Sequence, residues 1–266
     1  MTMKKTMKWI IILAAAVMTA CGSDSDSATL EFQAVSADRT VSIASEEGAP
    51  TCSVSVKLEA AAESQGQRAA AVNETLAREL LDLETTNLKT AADSFARAYT
   101  ESYRQNIGPL YRDDRGDPAK RQWYEYRYST EGKADEGRSG VTVYTANVSY
   151  YEGGAHGVSQ RLLLNFDNKT GRRLTLADVF APGYERQLNS MLTERLMAQA
   201  GADDMDGLRA KGFLQQTEMF ATENFALGKD AITFVYNAYE IAPYENGITE
   251  LTIDYGDCKE ILQTAD

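Results

Sequence analysis

The chain has 266 residues, with 27 basic side chains against 39 acidic ones and a formal charge of −12. An acidic body of this kind is a poor match for nucleic-acid phosphates or anionic lipid, and it favours a basic partner. One histidine and three cysteines give too few clustered soft ligands for a zinc centre, and no cofactor motif is present.

Lys4, Lys5 and Lys8 precede an apolar run from Trp9 to Met18, followed by Thr19-Ala20-Cys21. This is the three-part pattern of a secretory signal, and its apolar core is short for a membrane span. Small residues just before a cysteine match the lipobox of bacterial lipoproteins, in which Cys21 would be acylated and become the new N-terminus. Met18 departs from the usual leucine, and the alternative is a plain cut near Ala20 that releases a periplasmic protein. Either way residues 1–20 are excluded from the fold, and three lysines leave with them. Residues 21–29 read as a polar tether that buries too little apolar surface to fold. Its Ser/Asp character resembles lipoprotein export signals. The expected location is the outer membrane, lipid-anchored, facing either the periplasm or the cell surface.

Leu30 to Val35 and Val41 to Ile43 read as short strands, and Cys52 to Leu58 alternates apolar with polar residues as a half-buried strand does. Leu76, Leu80 and Leu83 share one helical face, and Phe95, Tyr99 and Tyr103 share another, which predicts two helices. Asn106 to Pro109 ends the second, and Asp113 to Pro118 is a charged turn. Trp123 and Tyr124 open a strand that runs to Tyr128, and Glu131 to Gly140 reads as a polar turn.

The stretch Tyr150 to Gly157, reading Tyr-Tyr-Glu-Gly-Gly-Ala-His-Gly, places three glycines and the single histidine between two strand-like runs. It predicts a hairpin with a shaped, glycine-rich connection, and its spacing is that of neither a P-loop nor a dinucleotide fingerprint. The apolar phase of Val141 to Tyr151 slips along its length, which predicts a β-bulge or a strand buried on both faces. Thr175 with Asp178 is a helix-start signal, and Leu188, Leu192 and Leu196 mark a helix over 184–200. Three strands with short turns close the chain and favour antiparallel pairing. The class is α+β, antiparallel sheets with packed helices, in two intimately associated subdomains, 30–139 and 140–266.

Cys52 and Cys258 form an even pair in an oxidising envelope once Cys21 is lipidated. A disulfide between them would close a loop of about 200 residues and contribute roughly 5 kcal/mol. Two separately buried thiols are the alternative.

Tyr150, Tyr151, Glu152 and His156 in one loop, with Tyr239 and Tyr244 in the loop 239–247, are the candidate binding residues. Tyrosine offers contact area with a polar tip at low entropy cost. The expectation is that the two loops adjoin and form one recognition surface; the competing reading is that Tyr239 and Tyr244 pack internally around Pro243. A glycan-acting hydrolase built on Glu152, His156 and Glu240 is the enzymatic alternative. No nucleophile elbow surrounds Ser159.

Four motifs occur in order: Tyr151 to Gly157; Asn165-Phe166-Asp167 with Thr170-Gly171; Leu174-Thr175-Leu176 with Asp178 and Phe180; and Tyr239 to Tyr244 with Gly247. Together they resemble a family of extracytoplasmic domains of unknown function. That family supplies the outer region of RsiV-type anti-sigma factors, which sense lysozyme, and a non-catalytic segment of a peptidoglycan deacetylase. The resemblance implies a non-enzymatic binding or sensing module, with lysozyme or a cell-wall component as its ligand.

Overall fold

The computed structural model describes residues 29–114 and 117–263. The signal over 1–20, Cys21 and the tether up to residue 28 lie outside the described residues. Among those described, no helix is long and apolar enough to cross a membrane.

The chain opens with β1 (Phe32–Ser42) and β2 (Thr51–Ala61), an antiparallel pair, and then α1 (Gln67–Leu81), α2 (Leu88–Asn106) and α3 (Gly108–Asp114). The two short segments expected over Leu30 to Ile43 are thus one strand. Asn87 caps α2 by accepting from the Thr90 amide at 2.8 Å, which satisfies one of its free N–H groups. Next come β3 (Tyr126–Glu136), β4 (Val141–Glu152), β5 (Val158–Asp167) and the short β6 (Arg173–Leu174). These complete a six-stranded sheet in the order β1-β2-β3-β4-β5-β6. Every pair is antiparallel except β2 with β3, which is parallel. The three helices between those two strands supply the crossover that parallel neighbours need.

The remaining elements are α4 (Leu176–Val179), α5 (Glu185–Ala200), α6 (Met205–Ala210), β7 (Phe225–Leu227), β8 (Ala231–Tyr236), β9 (Thr249–Asp254) and α7 (Tyr255–Cys258). The last three strands form an antiparallel sheet of their own. At the start of α4 the Asp178 carboxylate accepts from the Thr175 amide and hydroxyl, each at 2.8 Å. Gly201 closes α5 in the left-handed region at φ 62°.

The α+β class expected from the sequence is the one observed. The boundary near residue 140 is not, because it would cut β3 from β4, which pair along their whole length. The layers change after β6, near Leu174. Two cores follow. In the first, Val56, Leu76, Ala92 and Tyr144 are fully buried between the large sheet and its helices. In the second, Leu188, Leu192, Phe234 and Ile253 pack α5 on the small sheet. Tyr144 fits because Gly132, diagonal to it on the β3–β4 ladder, carries no side chain: an added Cβ there would lie 2.5 Å from the Tyr144 hydroxyl oxygen.

The phase slip in β4 has the second of its two expected causes. Its registers with β3 and β5 run without a bulge, and Val141, Thr142, Val143 and Tyr144 are all buried. Tyr144 faces the first core and Val141 the second. Cys52 and Cys258 also divide between the cores. Both are free and buried, so the separate-thiol alternative holds and the disulfide is corrected: each thiol is enclosed by a different layer. Burial pushes the Cys52 thiol up to about 12 and raises that of Cys258 as well.

Three asparagines join the layers. The Asn165 side chain donates to Phe225 O at 2.7 Å and accepts from Leu227 N at 2.8 Å. Asn224 accepts from Leu163 N at 2.7 Å, and Asn237 accepts from Arg161 N at 2.7 Å. The open edge of β5 is therefore completed by side-chain amides.

Candidate binding surface

The β4–β5 hairpin carries the glycine-rich loop at its tip. Gly153 and Gly154 have φ of 81° and 91°, a region that glycine enters without strain. At Gly153 an added Cβ would lie 2.3 Å from Trp123 O, so the loop rests directly on the segment before β3. Tyr151 donates to Gly154 O at 3.0 Å, and the Arg127 guanidinium lies 5.6 Å from the centre of the Tyr151 ring.

The loop over 239–247 meets this hairpin. Tyr244 donates its hydroxyl to Gly157 O at 3.1 Å, and its ring stacks on His156 with centroids 4.3 Å apart and planes 21° apart. Tyr239 follows, its ring 5.9 Å from that of Tyr244. Tyr239 and Tyr244 are 66% and 40% exposed, which rules out internal packing around Pro243 as their role. Tyr239 is held at φ 74°, an uncommon conformation for a bulky residue, by its backbone N–H, which donates to Ala242 O at 2.9 Å. A groove of about 430 Å³ runs beside it, lined by Gly212, Gln215, Thr217, Glu240 and Pro243.

Strand alternation separates the other candidates from this group. Tyr150 turns to the helix side of the sheet, where it stacks on Tyr128 at 6.5 Å. Glu152 does the same and accepts a hydrogen bond of 2.5 Å from Tyr99. Burial and that carboxylate both raise the Tyr99 phenol. Glu240 accepts from Asn237 N at 2.9 Å, and enclosure raises its carboxyl against the opposing pull of Asn237. No hydrogen bond or ion pair links Glu152, His156 and Glu240 among the described residues. The structure thus brings together His156, Tyr239 and Tyr244, sets Tyr151 beside Arg127 on the open face of the sheet, and leaves Tyr150 and Glu152 on the opposite face.

Trp123 is the residue that sequence reasoning passed over. It is 50% exposed beside the hairpin tip, in a short helical turn that ends before β3. The alternation of aromatic and charged residues after it suggested a strand residue instead. An exposed tryptophan beside a glycine-rich turn was the available signal.

This is a two-layer α+β protein whose loop surface is assembled from both layers. Residues 177–256 match a family described as a protein of unknown function, DUF3298. The structure is similar to the crystal structure of a DUF3298 family member from Bacteroides fragilis NCTC 9343, with 26% identity and a TM-score of 0.83 over 90% of this chain and 96% of that one. It also resembles a DUF3298 family protein from Pseudomonas aeruginosa PAO1, with 22% identity and a TM-score of 0.61 over 88% of this chain and 94% of that one, a likeness of fold. No curated protein matches the chain.

Proposed function

We propose that the chain is a non-enzymatic binding or sensing module of the bacterial envelope, held to the outer membrane by a lipid on Cys21, and that its ligand is a basic protein of the lysozyme type. The observation that carries the reading is the junction of Tyr244 with Gly157 and His156, which joins loops from the two layers into one exposed aromatic surface. Rigid tyrosines with polar tips are well suited to protein recognition. The formal charge of −12 favours a cationic partner. The motif resemblance to the lysozyme-sensing outer regions of RsiV-type anti-sigma factors supplies the ligand class.

The test is calorimetry of residues 22–266 with lysozyme at low and physiological salt, beside a muramidase assay. Saturable binding at physiological salt that disappears in a Tyr239→Ala, Tyr244→Ala variant is the expected result. Attraction confined to low salt would reduce the interaction to general charge and reject the reading. Incorporation of labelled palmitate into the full chain, absent in Cys21→Ser, tests the anchor.

A further inference from the structure

The second layer covers the helix-free face of the large sheet beside β5 and the start of β4, where Val141 packs into the second core. At the other end of the strands, from β1 to the start of β5, the same face holds a trough of about 460 Å³. Its floor runs across the strands in register, from Asp38 to Ser55, Ser129, Ser149 and Ser159. Five strands at the usual spacing make it roughly 19 Å long.

Two taller rows flank that floor. On one side Thr40 and Ser53 lead to Arg127 and Tyr151, with the guanidinium 5.6 Å from the tyrosine ring centre. On the other stand Lys57 with Glu131, 3.8 Å apart, and then Arg161 with Glu250. An exposed sheet face ordinarily gains stability from β-branched, aromatic or charge-paired cross-strand neighbours. Serine forgoes that gain, and here it does so in the one row that lies between an aromatic and cationic wall and an ion-paired one.

Among the described residues, the hydroxyls of Ser129, Ser149 and Ser159 bond no protein group, and Asp38 uses one oxygen to accept from Ser55 at 2.7 Å, leaving the other without a partner. We propose that this trough binds an extended, uncharged oligosaccharide, with Tyr151 against a sugar face, Arg127 and Asp38 on sugar hydroxyls, and the serines alternating as donors and acceptors. Sugar hydroxyls both donate and accept, as serine does. Walls of mixed sign favour a neutral ligand. A polypeptide lying across these strands would find their backbone groups already paired and only side chains to bond. The proposal concerns a different surface from the Tyr239 and Tyr244 loop and stands independently of the lysozyme reading.

The experiment is calorimetric titration of residues 22–266 with cellohexaose, chitohexaose and maltohexaose. Binding of at least one hexasaccharide is expected, weakened about tenfold or more in Ser129→Val and Ser149→Val. Valine suits a strand better than serine, so both variants should keep or raise the melting temperature, which separates loss of the site from loss of the fold. Tyr239→Ala, on the neighbouring loop and outside the trough lining, should bind the sugar unchanged. Failure of all three sugars at millimolar concentration, unaltered binding by the valine variants, or displacement of the sugar by an extended Gly-Ser repeat peptide would each overturn the proposal.

Discussion

The Asn165 side chain acts as one residue of strand for Phe225: its amide donates to Phe225 O at 2.7 Å while accepting from Leu227 N two residues on. Asn165 is 1% exposed, so no water would replace those bonds. Asn165→Leu leaves both backbone groups buried and unpaired, at a cost of about 2–5 kcal/mol. A lowered denaturant midpoint measures it, and Asn147→Ala on the exposed face should shift it by less than about 0.5 kcal/mol.

Gly153→Ala meets two obstacles, a φ of 81° and a Cβ 2.3 Å from Trp123 O. The loop must move off the segment before β3, and a loss of more than about 1 kcal/mol is expected. Trp123 is the only tryptophan in residues 22–266, so a shifted emission maximum in the folded variant reports the displacement. Gly154→Ala carries the strain of its φ of 91° but has nothing within 4 Å of its added Cβ, so it should lower stability while leaving Trp123 emission unchanged.

Both described thiols should resist a maleimide in the native chain and react after unfolding. Their burial withholds the thiolate, the reactive form, and pushes the Cys52 thiol up to about 12. The same labelling before and after a reductant distinguishes two free thiols from a bridged pair: equal uptake by the unfolded protein is the expected result.

Asp178 provides an acid-sensitive contact. Arg172, at 2.8 and 3.0 Å, and the Thr175 hydrogen bonds hold its carboxyl down to about 2. An unfolded aspartate titrates near pH 3.9, so the contribution is fully present above about pH 4 and is lost as the pH falls toward 2. Melting temperatures of the parent chain should fall more steeply across that window than those of Asp178→Asn. Parallel curves would show that the pair does not couple to folding.

Local features were the most legible. Leu188, Leu192 and Leu196 sit at helical spacing and are all fully buried, and the glycine-rich run between two β-branched segments folds as the expected hairpin. That the loops 150–157 and 239–247 adjoin was expected from their tyrosines, but the specific contact of Tyr244 with Gly157 is visible only in the fold. Partnerships across long separations were not legible. The parallel pairing of β2 with β3 depends on where three helices pack, which periodicity does not encode. The two-faced burial of β4 looked like a possible register fault because alternation identifies one buried face at a time. Asn165, Asn224 and Asn237 resemble turn residues in one dimension, and only the third shows them closing a sheet edge.

The amides along the outer side of β5 also bear on how this chain tolerates being divided. The segment 177–256 that matches the family contains both Asn224 and Asn237. Excising it would strip Arg161 N and Leu163 N of their partners and leave a bare strand on the part that remains. Such a strand readily recruits another copy of itself. The stretch that matches the family model is therefore also a guard against self-association, and expression of the first layer alone would give oligomers in place of a soluble half.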